Sequence, residues 1–164
     1  MKKIGVISDT HIPTAARALP AMISDLFDGV DMILHAGDLV SESVLDDLAL
    51  IAPVMAVRGN MDLSSEFNPL KRIVDIEGEG VLIGLIHGWG APGDLPMRVL
   101  GEFEKKPKPD CIVFGHSHQP FNEFFGGVLM FNPGSPTDKR FAPYFSVGIL
   151  TVSGGAVSGE IIKL

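Results

Sequence analysis

Short apolar runs separated by turn residues fill the chain, and their spacing changes about halfway along it. Ile4-Gly5-Val6-Ile7 reads as a buried strand, and Pro20 to Phe27 as the body of a helix whose first turn tolerates the proline. Met32-Ile33-Leu34 reads as a second strand. Ser41 is then placed to cap a helix that carries Val44, Leu45, Leu48 and Ile51 at helical spacing. Val54-Met55-Ala56-Val57 completes a third strand. Strand–helix–strand alternation of this kind implies a parallel sheet with right-handed crossovers.

The second half follows another rhythm. Ile73 to Ile76 and Val81 to Ile86 flank Gly78-Glu79-Gly80, a hairpin signal. A helix is expected from about Leu95 to Glu104, with Asp94 as its cap. Cys111 to Phe114 is another buried strand. Phe124-Phe125 and Val128 to Phe131 form a hairpin across Gly126-Gly127, and Phe145 to Val152 with Ala156 to Ile162 form a third. Two mixed sheets packed face to face, with helices outside, bury all these strands most simply. With no repeat, linker or low-complexity tract, residues 1–164 are expected to form a single domain.

Composition narrows the functional classes. Hydrophobic residues make up 46% of the 164, which excludes a disordered chain, and Gly 19 with Pro 12 fits many tight turns. The net charge of -7 makes nucleic acid an unlikely partner, because backbone capture needs a basic stripe. It does not exclude a phosphate substrate, since bound metal ions reverse the local sign. Cys111 is the only cysteine and lies in an apolar run, so it reads as core packing and no intrachain disulfide can form. No apolar run approaches the roughly 20 residues needed to span a bilayer, and the N-terminus lacks the h-region of a signal peptide. A cytoplasmic protein without a membrane partner is expected; a homo-oligomer is left open.

The chemistry gathers at strand ends. Asp9 and His11 follow the first strand, Asp38 the second through His35-Ala36-Gly37, and Asn60 and Asp62 the third through Arg58-Gly59. His87 follows Val81 to Ile86, and His116 and His118 follow Cys111 to Phe114. In open α/β sheets, ligands bind at the carboxyl ends of strands. Each residue alone has an ordinary reading: an Asp after a strand is usually a turn residue, and a lone His is usually structural. The set, however, uses four of the five histidines, each at a strand end. Two carboxylates, four imidazoles and an amide oxygen suit Mn²⁺, Fe, Zn²⁺ or Ni²⁺, whereas calcium would want more oxygens.

Asp9-x-His11, Gly37-Asp38, Gly59-Asn60, His87-Gly88 and Gly115-His116-x-His118 resemble, in order, the signature of the calcineurin-like metallophosphoesterase superfamily. The resemblance is strongest to its small single-domain bacterial and archaeal phosphodiesterases, and it runs from Asp9 to about Ser135. It implies a four-layer α/β/β/α sandwich of two mixed β-sheets flanked by helices. It also implies a phosphoesterase, by preference a phosphodiesterase, acting on a small-molecule phosphate ester. Two divalent ions, Mn²⁺ foremost, would hold the attacking hydroxide between them. Asp9, His11 and His118 would take the first ion, Asn60, His87 and His116 the second, and Asp38 would bridge them. His35 has no metal assigned and reads as a core or supporting residue.

Two positions depart from the family pattern. Many members carry a proton-donating His where this chain has Met61, although the small phosphodiesterases often lack it too. Many also carry His where Trp89 stands; here Trp89 could stack on an aryl or nucleoside group or simply pack as a lid. Asp62 could replace the missing acid or cap the loop. Ser135, in Asn132-Pro133-Gly134-Ser135, could touch substrate or only close a turn. A binding scaffold on the same fold and a nuclease are the rival readings. Completeness of the ligand set speaks against the first, and absence of a basic tract against the second.

Overall fold

The computed structural model describes residues 1–63, 69–76, 78–105 and 107–164. Among the described residues, ten strands form two five-stranded mixed sheets. The first sheet has β1 (Lys2–Ile7), β2 (Met32–His35), β3 (Val54–Ala56), β9 (Ser146–Ser153) and β10 (Ala156–Lys163), in the order β10-β9-β1-β2-β3. The second has β4 (Lys71–Ile76), β5 (Val81–Ile86), β6 (Cys111–Val113), β7 (Phe121–Phe125) and β8 (Val128–Asn132), in the order β4-β5-β6-β8-β7. β1, β2 and β3 run parallel, as do β5, β6 and β8, and the remaining pairings are antiparallel. The parallel strands β1, β2, β5, β6 and β8 are largely buried apolar runs, whereas β3 at a sheet edge exposes Met55 and the edge strands β4 and β10 alternate.

Three apolar clusters separate four layers. Between the sheets lie Ile4, Val6, Leu34, Ile83, Val113, Phe131 and Leu150, among others. On the outer face of the first sheet, Ile7, Ile33 and Val147 pack against Ile23 of α1 (Met22–Leu26) and against Val44 and Leu48 of α2 (Ser43–Ala49). On the outer face of the second, Ile86, Ile112 and Met130 meet Leu95 and Val99 of α3 (Leu95–Gly101). Each such side chain contributes ~1.5–3 kcal/mol by leaving water. Cys111 is fully buried in the central layer.

The helices are shorter than their sequence patterns suggest, and helices of five and seven residues persist only by packing. Between Pro20 and Phe27 only Met22–Leu26 is helical, with the Pro20 carbonyl accepting the Ile23 N–H at 3.0 Å. α3 stops at Gly101 and the chain runs on to Glu104 in tighter three-residue turns. Asp94 ends a short 3₁₀ turn (Pro92–Asp94) and its side chain makes no capping bond. Ser41 lies two residues before the first residue of α2, yet its Oγ accepts the Ser43 N–H at 3.3 Å as a cap would. Both Gly-Gly hairpins turn through two positive-φ glycines, Gly126-Gly127 and Gly154-Gly155. Among the described residues no helix is long and apolar enough to cross a membrane.

Candidate metal centre

All six parallel strands end at the same edge of the sandwich. β1 delivers Asp9 and His11, β2 delivers Asp38, and β3 leads into Asn60 and Asp62. β5 delivers His87, β6 leads into His116 and His118, and β8 ends at Asn132. Sheet pairing thus draws together residues more than a hundred positions apart.

Backbone strain is concentrated here. Among the described residues, Asp9 (φ 54°), His11 (44°), Asp38 (57°), His116 (69°) and His118 (59°) are five of the seven non-glycine residues at positive φ. Each left-handed residue costs ~1–2 kcal/mol, so the surrounding bonds must over-determine these turns. Gly59 shows how tightly they close: a Cβ there would fall inside the Asp38 carboxylate. At Gly115 it would strike the Ser8 hydroxyl and the Asp9 carboxylate.

Each carboxylate is half spent on holding itself in place. Asp9 Oδ2 accepts the Ser8 hydroxyl at 2.7 Å and the His116 N–H at 3.0 Å. Its Oδ1 lies 3.3 Å from His118 Nε2 and 3.9 Å from both His11 Nε2 and His87 Nε2. Asp38 Oδ1 accepts the Met61 N–H at 2.8 Å, while its Oδ2 lies 3.5 Å from His11 Nε2 and 3.3 Å from His87 Nε2. Both carboxylates therefore face histidines from the first sheet's loops and from the second's. Burial would raise the Asp38 pKa, but its hydrogen bond with His87 and the nearby imidazoles hold it at about 2.

Backbone carbonyls set the imidazole tautomers. His87 Nδ1–H donates to Ala36 O at 2.8 Å, His116 Nε2–H to Gly90 O at 2.9 Å, and His118 Nδ1–H to Asp138 O. The lone pairs of His87 Nε2, His116 Nδ1 and His118 Nε2 then point inward. Asn60 Oδ1 sits 3.1 Å from His87 Nε2 and 3.0 Å from His116 Nδ1. His11 Nε2 and His118 Nε2 are buried without a hydrogen-bond partner among the described residues. Acceptors that converge in this way need a cation or a proton between them. Burial alone would lower the His87 pKa; the bond to Asp38 and the charges of Asp9 and Asp38 overcome it and raise it to about 9. Burial holds His11 and His116 below the ordinary imidazole value.

Two buried triads, Asp9–His11–His118 and Asp9–Asp38–His87, have ligand atoms within 4.8 Å of one another, an arrangement suited to a dinuclear metal site. The donor set fits divalent ions: anionic oxygen and neutral imidazole, oriented by second hydrogen bonds. Asn60 is exposed and His116 half-buried, so this side of the cluster opens to solvent. Beside it lies a cleft of about 570 Å³ whose walls include Arg58, Asn60, Leu63, Leu70, His87 and Trp89.

The remaining expected residues fall in different places. His35 is fully buried: its Nδ1 accepts the Gly37 N–H at 3.1 Å, so Nε2–H donates to Thr10 Oγ1 at 3.2 Å. Burial lowers its pKa to about 3, so it stays neutral and braces the turn before Asp38. Asp62 borders the cleft, but its carboxylate accepts the N–H groups of Asp38, Val40 and Gly59 at 2.8–2.9 Å. These bonds make it the clamp of the Gly59 loop. Ser135 is fully buried: it donates to Asp9 O at 2.8 Å and accepts the Asp138 N–H at 2.9 Å. Trp89 also lines the cleft and is the most exposed of the three expected substrate contacts, at 45%.

Sequence reasoning missed Ser8, Thr10 and Asp138, which orient Asp9, His35 and His118. A hydroxyl directly before or after a strand-end Asp is a signal for the first two. The carbonyls of Ala36, Gly90 and Asp138 carry no residue-type signal at all.

The profile of the calcineurin-like phosphoesterase superfamily domain matches residues 1–155. The chain is 42% identical over 163 residues to a probable metallophosphoesterase of Methanothermobacter thermautotrophicus, covering 98% of this chain and 91% of that one. It is 28% identical over 146 residues to a phosphodiesterase of Methanocaldococcus jannaschii, covering 80% and 82%. In fold it is similar to Vps29 of Entamoeba histolytica, with TM-score 0.75, 24% identity and 98% of each chain covered.

Proposed function

Because the chain belongs to the calcineurin-like phosphoesterase superfamily, we propose that it is a phosphodiesterase using two divalent metal ions, Mn²⁺ by preference with Fe, Zn²⁺ or Ni²⁺ as alternatives. The observation that carries this reading is the inward convergence of acceptor atoms, with His11 Nε2 and His118 Nε2 buried beside carboxylates and lacking a hydrogen-bond partner among the described residues. Asp9, His11 and His118 would hold one ion, Asn60, His87 and His116 the other, and Asp38 both. Such ions supply Lewis acidity, which activates a water and offsets the charge on phosphate.

The protein's own residues do the rest. The Ala36, Gly90 and Asp138 carbonyls keep three imidazoles in the tautomer that can bind a cation. Met61 offers no proton to the leaving oxygen, and the Asp62 carboxylate is taken up by backbone N–H groups. Esters whose alcohols leave without protonation are therefore favoured. The cleft beside Asn60 and His87 gives a second ester group somewhere to lie, which supports a diester over a monoester.

The test is metal analysis combined with hydrolysis of bis(p-nitrophenyl) phosphate and p-nitrophenyl phosphate. Two ions per chain, loss of hydrolysis on chelation, recovery with Mn²⁺ and faster diester cleavage are expected. Full activity in verified metal-free protein would overturn the reading.

A further inference from the structure

Trp89 is the only tryptophan in the chain, and its position is unusual for so large an apolar side chain. It is 45% exposed, while the apolar residues of β5 leading up to it are largely buried. Its backbone, by contrast, is pinned. Gly88 (φ 93°) and Gly90 (φ 80°) turn the chain on either side of it. Arg98 Nη1 donates to the Trp89 carbonyl at 2.6 Å and to Ala91 O at 3.3 Å. Gly90 O accepts the His116 ring Nε2–H at 2.9 Å, and His87 lies two residues before Trp89. The indole is thus carried on a turn fixed to two histidines of the cluster, yet it is not packed away.

The surroundings say what it faces. Trp89 shares the cleft with Leu63, Leu70 and Ile86 on its apolar walls and with Asn60 and His87 at its inner end. Two cations also line it. Lys71 is already held by Glu102, at 2.8 Å to the carboxylate and 3.1 Å to the carbonyl. The Arg58 side chain has no ion pair or hydrogen bond among the described residues and lies two positions before Asn60. An aromatic side chain, aliphatic walls and a guanidinium without a partner among the described residues, beside a phosphate-binding centre, match one ligand chemistry. It is a flat aromatic group joined to an anionic phosphorus.

We infer that this cleft is the specificity site for the organic group of the ester, and that it selects aryl or heteroaromatic (nucleoside-type) phosphates by stacking on Trp89. Arg58 anchors the phosphoryl oxygens turned away from the cluster. The inference rests on the phosphoesterase reading for the position of the phosphorus, but it concerns binding and not turnover.

The test compares phenylphosphonate with methylphosphonate, non-hydrolysable probes that share an anionic group and differ only in the ring. Binding is measured by calorimetry on the Mn²⁺-loaded full chain, alongside Trp89 fluorescence excited at a wavelength the probes do not absorb. In the parent protein, phenylphosphonate should bind about tenfold more tightly, in the lower range of base–aromatic stacking, and should quench emission while methylphosphonate does not. Trp89→Ala should bring the two affinities together, and Trp89→Phe, which keeps an aromatic face, should retain most of the difference. Arg58→Ala should weaken both probes alike. Equal affinities in the parent, or an aryl preference unchanged in Trp89→Ala of intact circular dichroism, would overturn the inference. An aryl preference in a protein that cleaves no diester would overturn the proposed function and leave this site standing. Diester cleavage without aryl preference would do the reverse.

Discussion

The two sides of the strand-end cluster are built differently. On one side Asp9, His11 and His118 are buried, and His11 Nε2 and His118 Nε2 have no hydrogen-bond partner among the described residues. On the other, Asn60 is exposed and lines the Trp89 cleft, and His116 is half-buried. The closed side has unmet polar groups that only a cation or a proton relieves, so it is the side where metal and fold stability should be coupled. On the open side His116 is already tied to Gly90 O and Asn60 is exposed to solvent, so its occupancy should matter more for substrate than for folding.

The sharpest way to break this comparison is at the residue facing both sides. Asp38→Asn removes the anionic Oδ2 that lies 3.5 Å from His11 and 3.3 Å from His87. Diester hydrolysis should fall by more than about 100-fold, with loss of bound metal, because even supporting residues of metal sites cost ~10–100-fold. His35→Ala should do less, since its ring bonds Thr10 and Gly37 and not the cluster atoms. Parent-like turnover in Asp38→Asn would remove it from the shared position.

The next comparison sets one side against the other. His118→Ala should abolish most of the rise in Tm that Mn²⁺ confers, whereas Asn60→Ala should keep most of it and raise KM. Thermal melts with and without Mn²⁺, paired with steady-state kinetics, give both readouts. Equal losses of the Mn²⁺-induced Tm shift would mean that the sides are not distinct.

A smaller effect concerns pH. His35 has a folded pKa of about 3 against an ordinary 6.5, so between those values the unfolded chain binds more protons. Stability of metal-free protein should therefore fall as pH drops from 6.5 toward 3. Below about pH 4, Asp38 adds to the loss because its folded pKa is about 2. His35→Gln should flatten the dependence of Tm on pH between 6.5 and 4.5, whatever its absolute Tm. An unchanged slope there would mean that His35 does not set it.

The smallest expected change is a gain. Met61 is exposed on the open side, and its N–H donates to Asp38. Met61→His should raise kcat/KM for alkyl diesters relative to aryl ones by at most about tenfold, because the loop was not shaped to aim an imidazole. An unchanged ratio, with the new ring shown to reach the cleft, would mean that leaving-group protonation is not limiting.

Apolar runs and turn residues were enough to read ten strand segments closely, including both Gly-Gly hairpins. They overstated the helices, since apolar spacing continues into segments such as Phe103 that pack as tight turns instead of α-helix. The seven cluster residues were legible because side-chain type and strand-end position are both written in the sequence. The roles of Asp62 and Ser135 were not, because an Asp or Ser near a site has the same signature whether it faces a ligand or the backbone.

By itself, then, the sequence determined which strands are buried, that they are parallel where apolar runs alternate with helical patterns, and which residue types stand at their ends. Only the tertiary structure decided which atom of each residue turns inward. That choice depends on hydrogen bonds with distant segments: His87 to Ala36 O, His118 to Asp138 O, and the His116 N–H to Asp9. Backbone carbonyls and amides are present at every residue and leave no trace in composition or spacing. Their partners exist only once the two sheets have packed, and so does the cleft that leaves Trp89 facing out beside them.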